Sequence, residues 1–70
     1  MTLNERIREY CYKNRISQKE FAKRTGLSQA TVSRLVHDGK PTFLNMKKIS
    51  AIIGTPLLDL IDEHYRAVCE

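Results

Sequence analysis

Two serine-glutamine pairs, Ser17-Gln18 and Ser28-Gln29, each lead into residues that favour a helix, with Gly26 between them. A serine in that place accepts a hydrogen bond from a backbone amide that the helix itself leaves without a partner. The start of a helix also carries about half a positive charge, so the remaining amides and the adjoining glutamine offer an anion a hydrogen-bonding surface. Such a surface binds without proton transfer or covalent chemistry. The parts of an enzyme are not found elsewhere: neither histidine has a plausible nucleophile beside it, no glycine-rich phosphate loop is present, and Asp59, Asp62 and Glu63 read as a solvated helix face. Cys11 and Cys69 lack CxxC spacing and complete no ligand set with His37 or His64, so no metal or other cofactor is expected. A disulfide between them could staple the chain ends, but reduced thiols are the expectation in a cytosolic chain.

These residues need helices to present them, and every periodic pattern in the chain has the helical period. Leu3, Ile7, Tyr10 and Cys11 lie at i, i+4, i+7 and i+8, which predicts an amphipathic first helix over 2–13, ended by Asn14 and Arg15. Ser17 and Glu20 read as a capping box opening a second helix at about 17–24, with Phe21 and Ala22 inward and Gly26 closing it. Leu27 is expected to be buried. Ser28 caps a third helix over about 28–37 with Val32, Leu35 and Val36 on its inner face, ending at Asp38-Gly39. Thr42 caps a fourth, whose stripe Phe43, Met46, Ile49 and Ile53 faces the core as far as Gly54. Thr55 and Pro56 supply the cap and first-turn proline of a fifth, with Leu57, Leu60, Ile61, Tyr65 and Val68 along one side and fraying before Glu70. No alternating run flanked by turns suggests a strand. The fold class is therefore all-α, a compact five-helix bundle.

At 70 residues the chain fits one domain, 1–70, and folding buries only roughly 60% of its exposable surface, too little to enclose a catalytic cavity. Hydrophobic residues at 41% and charged ones at 29% fit a folded soluble protein and not a disordered tail. No apolar run is long enough for a bilayer and MTLNERIREY is charged where a signal peptide would be greasy, so a cytoplasmic location and no membrane partner are expected. The net charge of +4 favours a polyanion only weakly. Its placement says more: Arg6, Arg8, Lys13, Arg15, Lys19, Lys23, Arg24 and Arg34 face only Glu9 and Glu20 in that stretch, while Asp59, Asp62, Glu63 and Glu70 gather at the far end. One side of the molecule is expected to be basic, as a phosphate-binding surface would be.

A short helix, a glycine turn and a second helix form the arrangement in which two helices cross steeply and the second enters the DNA major groove. Any tight helix pair needs alanine, glycine and aliphatic residues; here Phe21, Ala22, Gly26, Leu27, Val32 and Leu35 are all in register for the motif. Over about residues 3–62 the chain resembles the helix-turn-helix domains of the phage repressor and Cro type (XRE-like), five-helix bundles of the lambda-repressor-like kind that bind operator DNA. The strongest stretches are ISQKEFAKRTGLSQATVSRL over the motif helices and MKKISAIIGTPLLDLI over the closing pair. The resemblance implies that the second motif helix reads DNA and that amides at the start of the first grip a phosphate.

On that footing Ser17, Gln18 and Ser28 are phosphate contacts, and Gln29 reaches a base edge, where glutamine pairs in two-pronged fashion with adenine. The outward face of the reading helix is Ala30, Ser33, Arg34 and His37. Ala30 and the Thr31 methyl suit a thymine methyl, and Arg34 suits guanine or, failing that, a phosphate. With Gln29, Ala30, Thr31, Ser33 and Arg34 as the base-reading set, His37 is left as a solvated helix end. Further phosphate contacts are expected from Lys13, Asn14 and Arg15 before the motif and from Lys40 and Thr42 after it, whereas Lys47 and Lys48 serve equally well as solvated surface. A monomer reads too few base pairs for a genome, so a homodimer on double-stranded operator DNA is expected, with Leu57, Tyr65 and Val68 either at its interface or closing the core. No small-molecule effector domain is expected. The competing class is an antitoxin or adaptor that binds a protein through the same bundle, but a docking groove would show large apolar anchors where Ala30, Ser33 and Arg34 stand.

The chain departs from the family in three places. Many relatives carry an arginine at the position of Cys11 and a glutamate at that of Val36, joined as a partly buried ion pair. A cysteine and a valine replace that pair with an apolar contact and leave no charge unpaired, so Cys11 is expected to be buried against Val36 and inert. In HDGKPTF, Gly39 comes one position late. Thr25 stands where an aliphatic is commoner, a change its methyl can absorb.

Overall fold

A computed structural model describes residues 2–37 and 40–69, the side chains of 67–69 excepted. It comprises α1 (Leu3–Asn14), α2 (Gln18–Thr25), α3 (Gln29–His37), α4 (Phe43–Ile53) and α5 (Leu57–Cys69), with no strand among the described residues. Each start has a local cause. Thr2 and Glu5 close a capping box on α1, which lowers the Glu5 carboxyl below its ordinary range through the Thr2 hydroxyl and amide. Ser17 Oγ accepts from the Glu20 amide at 3.1 Å, Ser28 Oγ from the Thr31 amide at 3.1 Å, and Thr42 Oγ1 from the Asn45 amide at 3.1 Å.

The ends are equally local. Gly26 (φ 77°) and Gly54 (φ 79°) take the left-handed conformation that ends α2 and α4. Arg15 does the same for α1 at φ 53° without glycine's freedom. Its amide bonds the Tyr12 carbonyl at 3.2 Å and that of Ile16 the Cys11 carbonyl at 3.0 Å, the two bonds of a Schellman cap, with Ile16 tucked against the core.

One apolar cluster joins the helices: Ile7 from α1, Phe21 from α2, Val32 from α3, Ile49 from α4 and Leu60 from α5 are its most enclosed side chains. Tyr10 meets Phe21 edge-on at 5.6 Å between ring centres, and its hydroxyl accepts from Arg24 Nη1 at 3.1 Å. Arg6 clamps α1 to α5, its Nε and Nη2 reaching the two Glu63 oxygens at 2.6 and 2.5 Å while Nη1 donates to Thr55 Oγ1 at 3.2 Å. That pairing holds the Glu63 carboxyl below its ordinary range and raises Arg6.

Several expectations need correction. Glu20 does not complete a capping box; its carboxylate lies 3.6 Å from Arg24, one turn on along α2. The Thr55 hydroxyl oxygen accepts from Arg6 instead of capping α5, whose Asp59 and Leu60 amides donate to the Pro56 carbonyl at 3.0 and 3.2 Å. Phe43 is 61% exposed, and in the first turn of α4 it is Asn45 and Met46 that are buried instead. Leu27 is half-buried where burial is expected, and of the two places left open for Tyr65, interface or core, its 60% exposure rules out the core. Thr25, by contrast, is absorbed as expected: it is buried and its hydroxyl donates to the Phe21 and Ala22 carbonyls at 2.9 and 3.2 Å. Asp38-Gly39, the Val68 side chain, the Cys69 thiol and Glu70 lie outside the described residues.

Candidate nucleic-acid interface

α2 and α3 pack on each other across Gly26, and α1 packs against α3. Within α3 the burial is one-sided: Val32, Leu35 and Val36 are buried while Gln29, Ala30, Arg34 and His37 are exposed. The nine-residue helix thus turns three apolar side chains into the core and leaves its polar side uncovered. Thr31 and Ser33 stand half-buried at the edges. Thr31 is further committed, since its hydroxyl oxygen receives the Ser28 hydroxyl at 2.7 Å.

The two helix starts are alike in geometry. Ser17, Gln18, Ser28 and Gln29 are all exposed, and in each pair the serine caps while the glutamine occupies the first helical position. α3 has no acidic residue in its first turn, so the positive end of its dipole is not offset locally. α2 has Glu20, whose charge is drawn toward Arg24.

The flanking candidates differ. Lys13 is exposed but lies 2.6 Å from the Glu9 carboxylate, and the Asn14 amide donates to the Tyr10 carbonyl at 2.9 Å, so both are partly spent inside α1. Arg15, Lys40 and Thr42 are exposed, and Arg15 and Lys40 have no ion-pair partner among the described residues. Thr42 spends its oxygen on capping α4. Lys47 is exposed and Lys48 half-buried.

Cys11 is half-buried and packs at the margin of the core, short of the full burial expected. Burial pushes its thiol pKa up, partly opposed by the Arg24 charge, so the thiolate is disfavoured. The directional link between α1 and α3 comes instead from Arg8, whose Nη2 donates to the Val36 carbonyl at 3.4 Å. Sequence reasoning passed over Arg8, although it lies one turn before Cys11 and so shares a helix face with it.

The chain matches the helix-turn-helix family model over residues 5–60, and it belongs to that family, in its XRE, Cro/repressor-like form. The family is one of DNA-binding domains and not of enzymes. No curated protein and no solved structure matches the chain significantly. Among the described residues no helix is long and apolar enough to cross a membrane.

Proposed function

We propose that residues 1–70 form one DNA-binding domain of a sequence-specific transcriptional repressor that reads the major groove of operator DNA with α3. The observation that carries this reading is the uncovered polar side of a helix whose other side is locked into the core: Gln29, Ala30 and Arg34 are exposed over buried Val32, Leu35 and Val36. Gln29 and Arg34 supply the donors and acceptors that pair with adenine and guanine edges, while Ala30, Thr31 and Ser33 permit close approach. Gln18, Arg15 and Lys40 hold the flanking phosphates together with the free amides of the helix starts that Ser17 and Ser28 cap; the two serine hydroxyls, Lys13, Asn14 and Thr42 contribute after local rearrangement.

Two copies bind two-fold-related half-sites. Leu58, 78% exposed, and Tyr65, 60% exposed, lie two turns apart on α5 and support this face as the meeting surface. Leu57, half-buried against the core, is replaced in that role by Leu58. Selection of bound sequences from random duplexes tests the reading. An enriched palindrome with two half-sites is expected; equal retention of all sequences would refute base reading.

A further inference from the structure

The geometry points to Arg8 as a positioning residue for base reading: its guanidinium, reaching from α1 to the Val36 carbonyl, fixes the C-terminal turn of α3 against the bundle. This rests on α3 being the reading helix. At its start α3 is held by the Ser28 cap and by the turn from α2. Along its length it is held by Val32, Leu35 and Val36, all buried. Close apolar packing sets the distance of a helix from the core and its approximate orientation, but being non-directional it leaves small rolls about the axis inexpensive. Even a small roll displaces Gln29 and Arg34 sideways relative to a base edge, so a directional contact sharpens the register.

Among the described residues, few could supply a directional tie between α1 and α3. Cys11 offers only a weak, partly buried thiol, and Val36 has no polar side-chain atom. Arg8 supplies it through the main chain, with Nη2 3.4 Å from the Val36 oxygen. That carbonyl belongs to the last turn of α3, where helix carbonyls lack intrahelical partners and a cation is favoured by the dipole. The guanidinium is planar and its donors are fixed, so it specifies orientation as well as distance. Tyr10, two residues on and so on another side of α1, bears edge-on on Phe21 and accepts from Arg24, so the same helix also braces α2. α1 thereby indexes both motif helices, with Arg8 acting on the one that reads.

The test compares wild type, Arg8→Met and Arg8→Lys, the methionine keeping most of the apolar stem while removing charge and donors. Amide hydrogen exchange without DNA is measured first. Arg8→Met is expected to speed exchange several-fold at Leu35, Val36 and His37 and to leave α2 and α4 unchanged; unchanged exchange in α3 would overturn the proposal, whatever the DNA results. Binding to the duplex selected by wild type and to a scrambled duplex is then compared across salt. Arg8→Met should lose about three- to tenfold on the selected duplex and little on the scrambled one, with the salt slope unchanged, and Arg8→Lys should recover part of the loss. An equal loss on both duplexes with a shallower slope would make Arg8 a phosphate contact and overturn the positioning role, as would faster exchange with undiminished discrimination. If wild type itself selects no duplex, base reading fails and this role fails with it, a result distinguishable because the exchange arm needs no DNA.

Discussion

The seam between α1 and α5 and the outward side of α3 are built from similar polar side chains put to opposite uses. At the seam, Arg6, Glu63 and Thr55 satisfy one another at 2.5 to 3.2 Å, with the Arg6 and Glu63 side chains only 26% and 24% exposed. On α3, Gln29 and Arg34 project into solvent and make no side-chain bond among the described residues. A charge that has found its partner within the chain holds the bundle together, and one held out on a rigid helix without a partner is available to a ligand. An amphipathic surface helix is ordinarily buried on one side and bare on the other, so the contrast supports the proposed reading through the side chains the bare side carries, Gln29 and Arg34.

The comparison can be broken at its exposed side first. Arg34→Ala should cost about 1 to 3 kcal/mol on the preferred duplex and much less on random DNA, with thermal stability little changed. An equal loss on both duplexes would reassign Arg34 to a phosphate. At the paired side the pattern should reverse. Glu63→Gln is expected to lower stability by about 1 to 2 kcal/mol, reduced by the pair's partial exposure, and to leave affinity for DNA nearly intact. The folded carboxyl lies below its unfolded value of about 4.3, so its contribution is present above that pH and is lost as pH falls through the lowered value. Acid titration of stability should therefore be steeper in wild type than in Glu63→Gln.

Arg15 sharpens the comparison because it belongs to both classes, a helix cap and an exposed cation. Arg15→Gly should stabilise the fold by about 0.5 to 1 kcal/mol by removing a side chain from the left-handed conformation. If Arg15 also holds a phosphate, the same change makes the slope of log K against log[salt] shallower by about 0.9. A gain in stability with an unchanged slope would leave Arg15 as a cap alone. The smallest effect is at Cys11, where burial and a raised pKa predict labelling by a thiol reagent several-fold slower in the folded than in the unfolded chain. Equal rates would show that the thiol is not shielded.

The helices were legible in the sequence because their causes are local. Ser17, Ser28 and Thr42 cap from positions three residues before the amides they bind, and Gly26 and Gly54 end helices through their own backbone. The inner face of α3 followed from helical period alone. Illegible were choices between partners that one stretch cannot rank. Glu20 could close a cap or meet Arg24, and Thr55 could cap α5 or receive Arg6; in both, an arginine drew the oxygen away. Arg6 with Glu63 and Arg8 with Val36 join residues far apart in the chain, so no local pattern announces them. Phe43 fits the apolar stripe of α4 yet stands exposed, while the polar Asn45 in the same turn is buried, a choice the apolar pattern does not rank.

The most direct measurement is an amide NMR titration of the chain with the duplex it selects. The largest shift changes are predicted at Ser17 to Lys19 and at Ser28 to Arg34, the two helix starts and the bare side of α3. Changes confined to the α1–α5 seam around Arg6, Thr55 and Glu63, with α3 unmoved, would contradict the assignment.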